Sequence, residues 1–384
     1  MPYWRLSGFY FFFFAIVGAL VPYWGPYLQG LGFSAGQVGE SIALINLMRV
    51  VAPNLLGYLS DRWEQRLRVV RVAALLALLA LAGLQGSQDF GWLLLMTGLF
   101  SFFWNGALPQ FEAATMNHLG AQEHRYSRIR LWGSVGFIVA VALLGALIER
   151  WGVGLVPWAM LLLATGMWLV SLLTPDREAP LAPASAGNFW QQLRRPEVLG
   201  FLLAAFLSQM SHGPYYAFFS IYLQEHGYGS GLIGLLWAWA VVAEIAVFAV
   251  IHRWLPRHGP RRLMLAARLL GGLRWLVTGA FPQHLGLLFA VQTLHAASFG
   301  IYHAVGIAVV NRFFRGRSQG RGQAIYSSLT FGAGVAIGSL LAGYLWAETG
   351  GNLVFYLAAV ASVLAAGLAG WAVPKRFQDP AAQH

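Results

Sequence analysis

Six charged side chains and three histidines stand inside long apolar runs of this 384-residue chain: Arg49, Glu112, Arg130, Glu244, Arg268 and Arg274, with His212, His295 and His303. A carboxylate and an imidazole in such surroundings can pass a proton, because neighbours tune their titration toward working pH. Four arginines against two carboxylates leave a surplus of buried positive charge. An unpaired buried cation is costly, so the surplus favours an anionic ligand. Tyr215, Tyr216, Trp104 and Trp237 offer ring-stacking surface, or simple packing. Other chemistry has no residues to run on. The chain has no cysteine, which excludes disulfides and thiolate catalysis. It has no HExxH spacing, no nucleophile placed beside a base, and no buried Asp pair. The expectation is a protein that is not an enzyme and that uses no cofactor or metal.

The elements that must position these residues follow from composition. Only 10% of residues are charged and mean hydropathy is +0.60, against about 25% charged in soluble domains. Such a chain cannot cover a surface facing water all round, and it reads as a multi-pass membrane protein. Twelve apolar segments approach the roughly 20 residues a spanning helix needs: 6–28, 37–59, 68–86, 90–117, 125–148, 153–173, 197–223, 230–253, 262–280, 285–312, 322–346 and 352–373. The first is too long for a signal-peptide core and lacks a small-residue cleavage site, so it is expected to be retained.

Arginines fill the even-numbered loops: Arg62, Arg66, Arg68 and Arg71, then Arg125 and Arg128, then Arg177, Arg194 and Arg195, then Arg253, Arg257, Arg261 and Arg262, then Arg312, Arg315, Arg317 and Arg321. The termini add Arg5, Lys375 and Arg376, while the odd-numbered loops hold only Arg150. Positive residues stay on the cytoplasmic side, which predicts both termini in the cytoplasm. The net charge of +11 is spent in these clusters, so no nucleic-acid partner is expected.

The stretch TPDREAPLAPASAGNFWQQLRRP, near the chain's midpoint, is rich in Pro, Ala and charge and reads as a linker. YLQGLGFSAGQVG at 27–39 recurs as YLQEHGYGSGLIG at 222–234, an offset of about half the chain. Together these predict an all-α membrane protein of twelve helices in two pseudo-symmetric six-helix bundles. Residues 1–174 form the first, 175–196 a cytoplasmic linker, and 197–384 the second. Secondary transporters are often built from such repeats, with the solute site near the midplane between them.

Depth along each hairpin tests which charges can meet. Spans four and five turn near Gly120-Ala121; Glu112 lies nine residues before Ala121 and Arg130 nine after it. At about 1.5 Å of rise per residue the two are level. Spans eight and nine turn near Gly259, with Glu244 fifteen residues before it and Arg274 fifteen after it. His295 reaches a similar depth on span ten. Two groups are therefore expected, Glu112 with Arg130 and Glu244 with Arg274 and His295. Snorkelling toward the cytoplasmic end is the competing reading for the first pair, and a structural buried ion pair for the second.

Gly57, Asp61 and Arg62 close span two, with Arg66 and Arg68 after them. This run resembles the cytoplasmic loop motif of the major facilitator superfamily, though Glu64 stands where a glycine is usual. The resemblance implies a gating latch. The stretches Arg128-Ile-Arg130-Leu-Trp-Gly-Ser, Ala243-Glu244, Leu273-Arg274-Trp275 and Leu294-His295 resemble the lactose permease family, and most of all its phenylpropionate permease branch. That branch shares RLWGSV, the Tyr215-Tyr216 pair, LW followed by VVAE, RW on span nine and LH on span ten. The likeness implies a solute held by Glu112 and Arg130, and proton coupling through Glu244, Arg274 and His295. It departs at Ser298, where the family has a carboxylate, and at Gln292, where it has a lysine. Gln209, His212 and Tyr215 replace the acidic residues of helix seven.

The function expected is secondary-active transport of a small organic solute, with protons as the coupling partner. An aromatic carboxylate such as 3-phenylpropionate is the first expectation; a sugar or nucleoside is the alternative, and a non-transporting membrane sensor a distant one. Glu112, Arg130, Arg49, Gln209, His212, Tyr215, Tyr216 and Trp237 are the expected solute-binding residues. A functional monomer in a bacterial cytoplasmic (inner) membrane completes the expectation.

Overall fold

The computed structural model describes residues 2–63, 65–177, 189–315 and 318–377. Of the expected linker at 175–196, residues 178–188 lie outside the described residues, as do Glu64 and the side chain of Asp61. Helices account for nearly everything described. They are α1 Tyr3–Gly30, α2 Ala35–Trp63, α3 Arg66–Gly83, α4 Phe90–Leu119, α5 Tyr126–Trp151, α6 Leu155–Leu173 and α7 Phe189–Leu193. After these come α8 Pro196–Met210, α9 Gly213–Glu225, α10 Ser230–His258, α11 Pro260–Ala280, α12 Leu285–Thr293, α13 Tyr302–Phe313, α14 Gln319–Ser327 and α15 Val335–Ala372.

Among the described residues, nine helical stretches are long and apolar enough to cross a membrane. Two of them, Phe90–Trp151 and Gln319–Ala372, each hold a pair of crossings that turn at Gly120 and Gly350. A further crossing is α8 with α9, and the twelve expected from the sequence are thereby accounted for. That crossing is not the continuous helix the apolar run suggested. It breaks at Ser211-His212, just before Gly213-Pro214, because proline lacks an N–H and its ring disfavours helical backbone before it. The tenth crossing is also interrupted. α12 passes through a π-turn at Ala296–Ile301 before α13, and a second π-turn, Ser328–Gly334, joins α14 to α15. Single π-turns of this kind are frequent at functional sites.

The repeated sequence has a structural cause. α1 and α9 end in the same way, with Gly32 at φ 88° and Gly227 at φ 84°. The Gly32 N–H donates to the Gln29 carbonyl (2.9 Å) and the Phe33 N–H to that of Leu28 (3.2 Å). Gly227 and Tyr228 repeat both bonds to Gln224 and Leu223 at 3.0 and 3.1 Å. This is the Schellman cap, which favours glycine because left-handed backbone is strained by a Cβ and glycine has none.

The chain forms two compact units. One comprises 1–182 with 216–238 and 339–347; the other comprises 183–215, 239–338 and 348–384. In the first, α1 packs along α5 and α6, and α4 against α2 and α3. The backbones of α1 and α5 approach so closely that a Cβ on Gly18 would stand 2.6 Å from the Phe137 carbonyl. The core of the second includes Phe201, Leu202, Ala267, Val305, Val309 and Tyr326. Each unit also has an arginine that caps the carbonyl end of a helix. Arg71 donates to the carbonyls of Ser171 (3.2 Å) and Thr174 (2.7 Å), and Arg261 donates to that of Val373 (2.6 Å). The sequence presents both only as cytoplasmic charges.

Candidate functional site

In the second unit three of the expected residues come together. His295, just before the π-turn, places Nε2 3.4 Å from the Glu244 carboxylate oxygen Oε2. Its other ring nitrogen, Nδ1, lies 3.0 Å from Nη1 of Arg274. A guanidinium can only donate, so Nδ1 carries the lone pair and the ring proton sits on Nε2, aimed at Glu244. Arg274 is fully buried and spreads its remaining bonds. Nη1 also reaches the Ser298 hydroxyl at 3.3 Å, and Nη2 donates to Oε1 of Gln292 at 2.6 Å. Tyr215 donates its hydroxyl to the same Gln292 oxygen at 3.3 Å, and its ring lies 4.2 Å beneath the guanidinium carbon. The result is a connected series, Glu244–His295–Arg274–Gln292–Tyr215. α10, α11, the α12 crossing and α9 each contribute to it.

Gln292 and Ser298 are the two positions where the sequence departs from the resemblance noted above. Gln292 is an acceptor for Arg274. Ser298 links two arginines, since its hydroxyl meets Arg274 and its carbonyl accepts from Arg268. Arg268 is equally buried, donates to the Ser208 hydroxyl and lies 4.2 Å over the Tyr302 ring. His212 is fully buried and anchored rather than central. Its Nδ1 donates to the Ser208 carbonyl at 2.8 Å and its ring meets Trp275 edge-on. Gln209 is fully buried beside Tyr302. His303 joins a stack, with Phe299 between it and His295.

In the first unit Glu112 and Arg130 are neighbours. Glu112 accepts from the Tyr126 hydroxyl at 3.2 Å, with Arg130 close enough to act on the same carboxylate electrostatically. Arg130 is turned onto rings, its guanidinium carbon 3.8 Å over Phe14 and 5.8 Å from the centre of Tyr10. Gly133 makes the room for it, since a Cβ there would stand 2.7 Å from both the Arg130 guanidinium and the Phe14 ring. Arg128, two residues earlier, is exposed.

Arg49 is half-buried, and its Nε donates to Oδ1 of Asn105 at 3.3 Å. Asn105 escapes notice in the sequence because a lone amide in an apolar run signals nothing by itself. Arg49 also lies within electrostatic reach of Tyr216. The Tyr216 ring is stacked on Trp237 at 6.5 Å, and Trp237 is buried with its Nε1 bonded to the Ser220 hydroxyl at 3.0 Å. Trp104 is fully buried and stacked with both Phe13 and Phe100, the arrangement of a packing residue. Of the loop motif, Gly57 faces the Gln110 amide and Arg62 is exposed; the Asp61 side chain lies outside the described residues. The described residues contain no cluster of three or more metal-ligating side chains.

Comparison with known proteins extends this reading. The model of the MFS_1 like family matches residues 3–357. The chain is 29% identical to a probable 3-phenylpropionic acid transporter of Escherichia coli (strain K12), over 93% of this chain and 94% of that one. It is 27% identical to a maltose permease of Geobacillus stearothermophilus, over 93% and 91%. Among solved structures, the nucleoside transporter NupG superposes with a TM-score of 0.85 at 17% identity, covering 97% of this chain and 99% of that one. At that identity the superposition speaks for the fold alone. Membrane-spanning helices, buried charges and the match along most of its length make this a transporter of the major facilitator superfamily, and the chain belongs to the MFS_1 like family.

Proposed function

We propose that the protein is a proton symporter that carries a small aromatic carboxylate, such as 3-phenylpropionate, by alternating access. The carrying observation is the buried Glu244–His295–Arg274–Gln292–Tyr215 series. Ionisable groups are expensive inside a membrane, roughly 2.5–3.5 kcal/mol each on insertion scales, and they persist there where they do work. A proton arriving on Nδ1 of His295 removes the lone pair that holds Arg274. It also sets two positive charges against each other, so Arg274 must rearrange. Glu244, on the other ring nitrogen, is the partner that takes or gives the second proton. Arg130, oriented by Glu112, meets the polar end of the solute. The surplus of arginines supports an anion, and the likeness to a protein named as a probable 3-phenylpropionic acid transporter points the same way.

The protein works as a monomer in a bacterial cytoplasmic membrane, with both termini in the cytoplasm. Its halves are 1–174 and 197–384, and the Gly57–Arg62 motif acts as a latch. A neutral sugar or nucleoside is the second reading, favoured by the likeness to a maltose permease. Uptake of labelled 3-phenylpropionate into proteoliposomes, with and without an inward proton gradient, decides between them. Gradient-driven accumulation is expected. No uptake across a panel of aromatic acids, alongside gradient-driven uptake of a sugar or nucleoside, would establish the second reading.

A further inference from the structure

Of the arginines in the membrane-spanning helices, Arg49, Arg130, Arg268 and Arg274 stand inside the apolar runs, and they are held in different ways. Arg268 and Arg274 are fully buried, each with several hydrogen bonds and an aromatic face beneath it. Arg130 has rings on one side and the Glu112 carboxylate nearby. Arg49 differs. Among the described residues its hydrogen-bond partner is a single neutral group, the Asn105 amide oxygen; like Arg130, it has no carboxylate within ion-pair distance.

Asn105 is itself fixed by two backbone carbonyls. Its Nδ2 donates to Ser101 at 2.9 Å on its own helix and to Ile45 at 3.3 Å on α2, one turn before Arg49. Both N–H groups of the amide are thereby used, and Oδ1 is left facing Nε of Arg49. A guanidinium presents five N–H donors in a rigid fork. With Nε engaged by Asn105, the two terminal nitrogens remain for a planar, two-oxygen acceptor. The Tyr216 hydroxyl lies within electrostatic reach of the same guanidinium, and the Tyr216 ring is stacked on buried Trp237. A fork that can take a carboxylate, with a stacked ring pair in its neighbourhood, suits a molecule with a carboxylate at one end and a ring at the other.

We propose that Arg49, oriented by Asn105, is the residue that selects an anionic solute over its neutral analogue, with Tyr216 as the face for the ring. The assignment rests on the aromatic-acid reading above. It gives Arg49 a different part from Arg130, which meets the polar end of any solute, charged or neutral, with Glu112 within electrostatic reach and rings against its guanidinium. Asn105 acts as a positioning residue: its amide holds the fork without neutralising it.

The test compares 3-phenylpropionate with 3-phenylpropionamide in proteoliposome counterflow, without a proton gradient. The wild type prefers the acid. In Arg49→Gln the acid-to-amide preference falls by about tenfold or more, as expected when a charge-assisted bidentate contact is lost. Arg49→Lys keeps the charge without the fork and recovers part of it. Asn105→Asp is the second variant, of nearly the same shape, though its carboxylate no longer donates to the Ser101 and Ile45 carbonyls. It gives Arg49 a permanent internal carboxylate, so the preference collapses as in Arg49→Gln, and thermal melting in detergent reads the cost to the fold separately. A merely structural Asn105 would leave the preference untouched. An unchanged acid-to-amide preference in both Arg49→Gln and Asn105→Asp overturns the assignment while leaving aromatic-acid transport standing. A wild type that carries sugars or nucleosides and neither phenyl compound overturns both.

Discussion

In the proposed mechanism coupling turns on His295, because its two ring nitrogens face opposite kinds of partner. Removing the ionisable end of the series should uncouple transport without abolishing it. Glu244→Gln is expected to lose gradient-driven accumulation and to retain exchange of labelled for unlabelled solute; accumulation at the wild-type level would assign proton carriage elsewhere. Tyr215 separates its ring from its hydroxyl. Tyr215→Phe keeps the face beneath Arg274 and gives up one bond to Gln292, a loss of about 1 kcal/mol. Tyr215→Ala also leaves a cavity under a buried cation, and a loss of about 3–5 kcal/mol is expected. Thermal unfolding in detergent should therefore rank wild type, Phe and Ala in that order, with the larger step at Ala. Hairpin arithmetic found that Glu244, Arg274 and His295 share a depth, because rise per residue is fixed. It could not find the order along the series, which depends on azimuth and rotamer. Gln292 and Ser298 were legible only as departures from a related family. Asn105 was not legible at all, since its importance lies in a partner 56 residues away.

Among the elements, the helix ends follow the sequence most closely. The repeated Gly32 and Gly227 are both in left-handed backbone with matching hydrogen bonds, so the repeat records the same cap used at both places. An alanine at Gly227 has open space around its Cβ and yet sits at φ 84°. The cost is therefore conformational alone, about 1–2 kcal/mol. Gly227→Ala is expected to melt below wild type. Gly367→Ala, also in open space and in ordinary helical backbone, is expected to melt at or slightly above wild type, because alanine stabilises a helix relative to glycine. Equal midpoints for the two variants would show that the left-handed cap contributes nothing. The breaks inside crossings were less legible. Gly213-Pro214 explains the interruption of the seventh crossing after the fact, as proline does in any helix. The π-turns carry no proline and no composition that marks them; they follow from how the surrounding helices pack.

For the molecule as a whole, charge asymmetry predicts orientation, and the absence of cysteine makes that prediction simple to check. Arginines crowd the even-numbered loops, the pattern expected of loops that are not translocated across the membrane. The structure adds that two of these arginines, Arg71 and Arg261, hold helix carbonyl ends, so the clusters are not only anchors. That second role would place them at helix ends on either side of the membrane; the bias toward one side still has to come from topology. Single cysteines at exposed positions on each side separate the possibilities. Ser87→Cys and Gln283→Cys lie in odd-numbered loops, and Gln122→Cys and Gln319→Cys in even-numbered ones, all four exposed. In intact cells a membrane-impermeant maleimide should label the first pair at once. It should reach the second pair only after the membrane is permeabilised. The reverse pattern would invert the orientation and place both termini outside, and the arginine clusters would then be explained by helix capping and partner contacts alone.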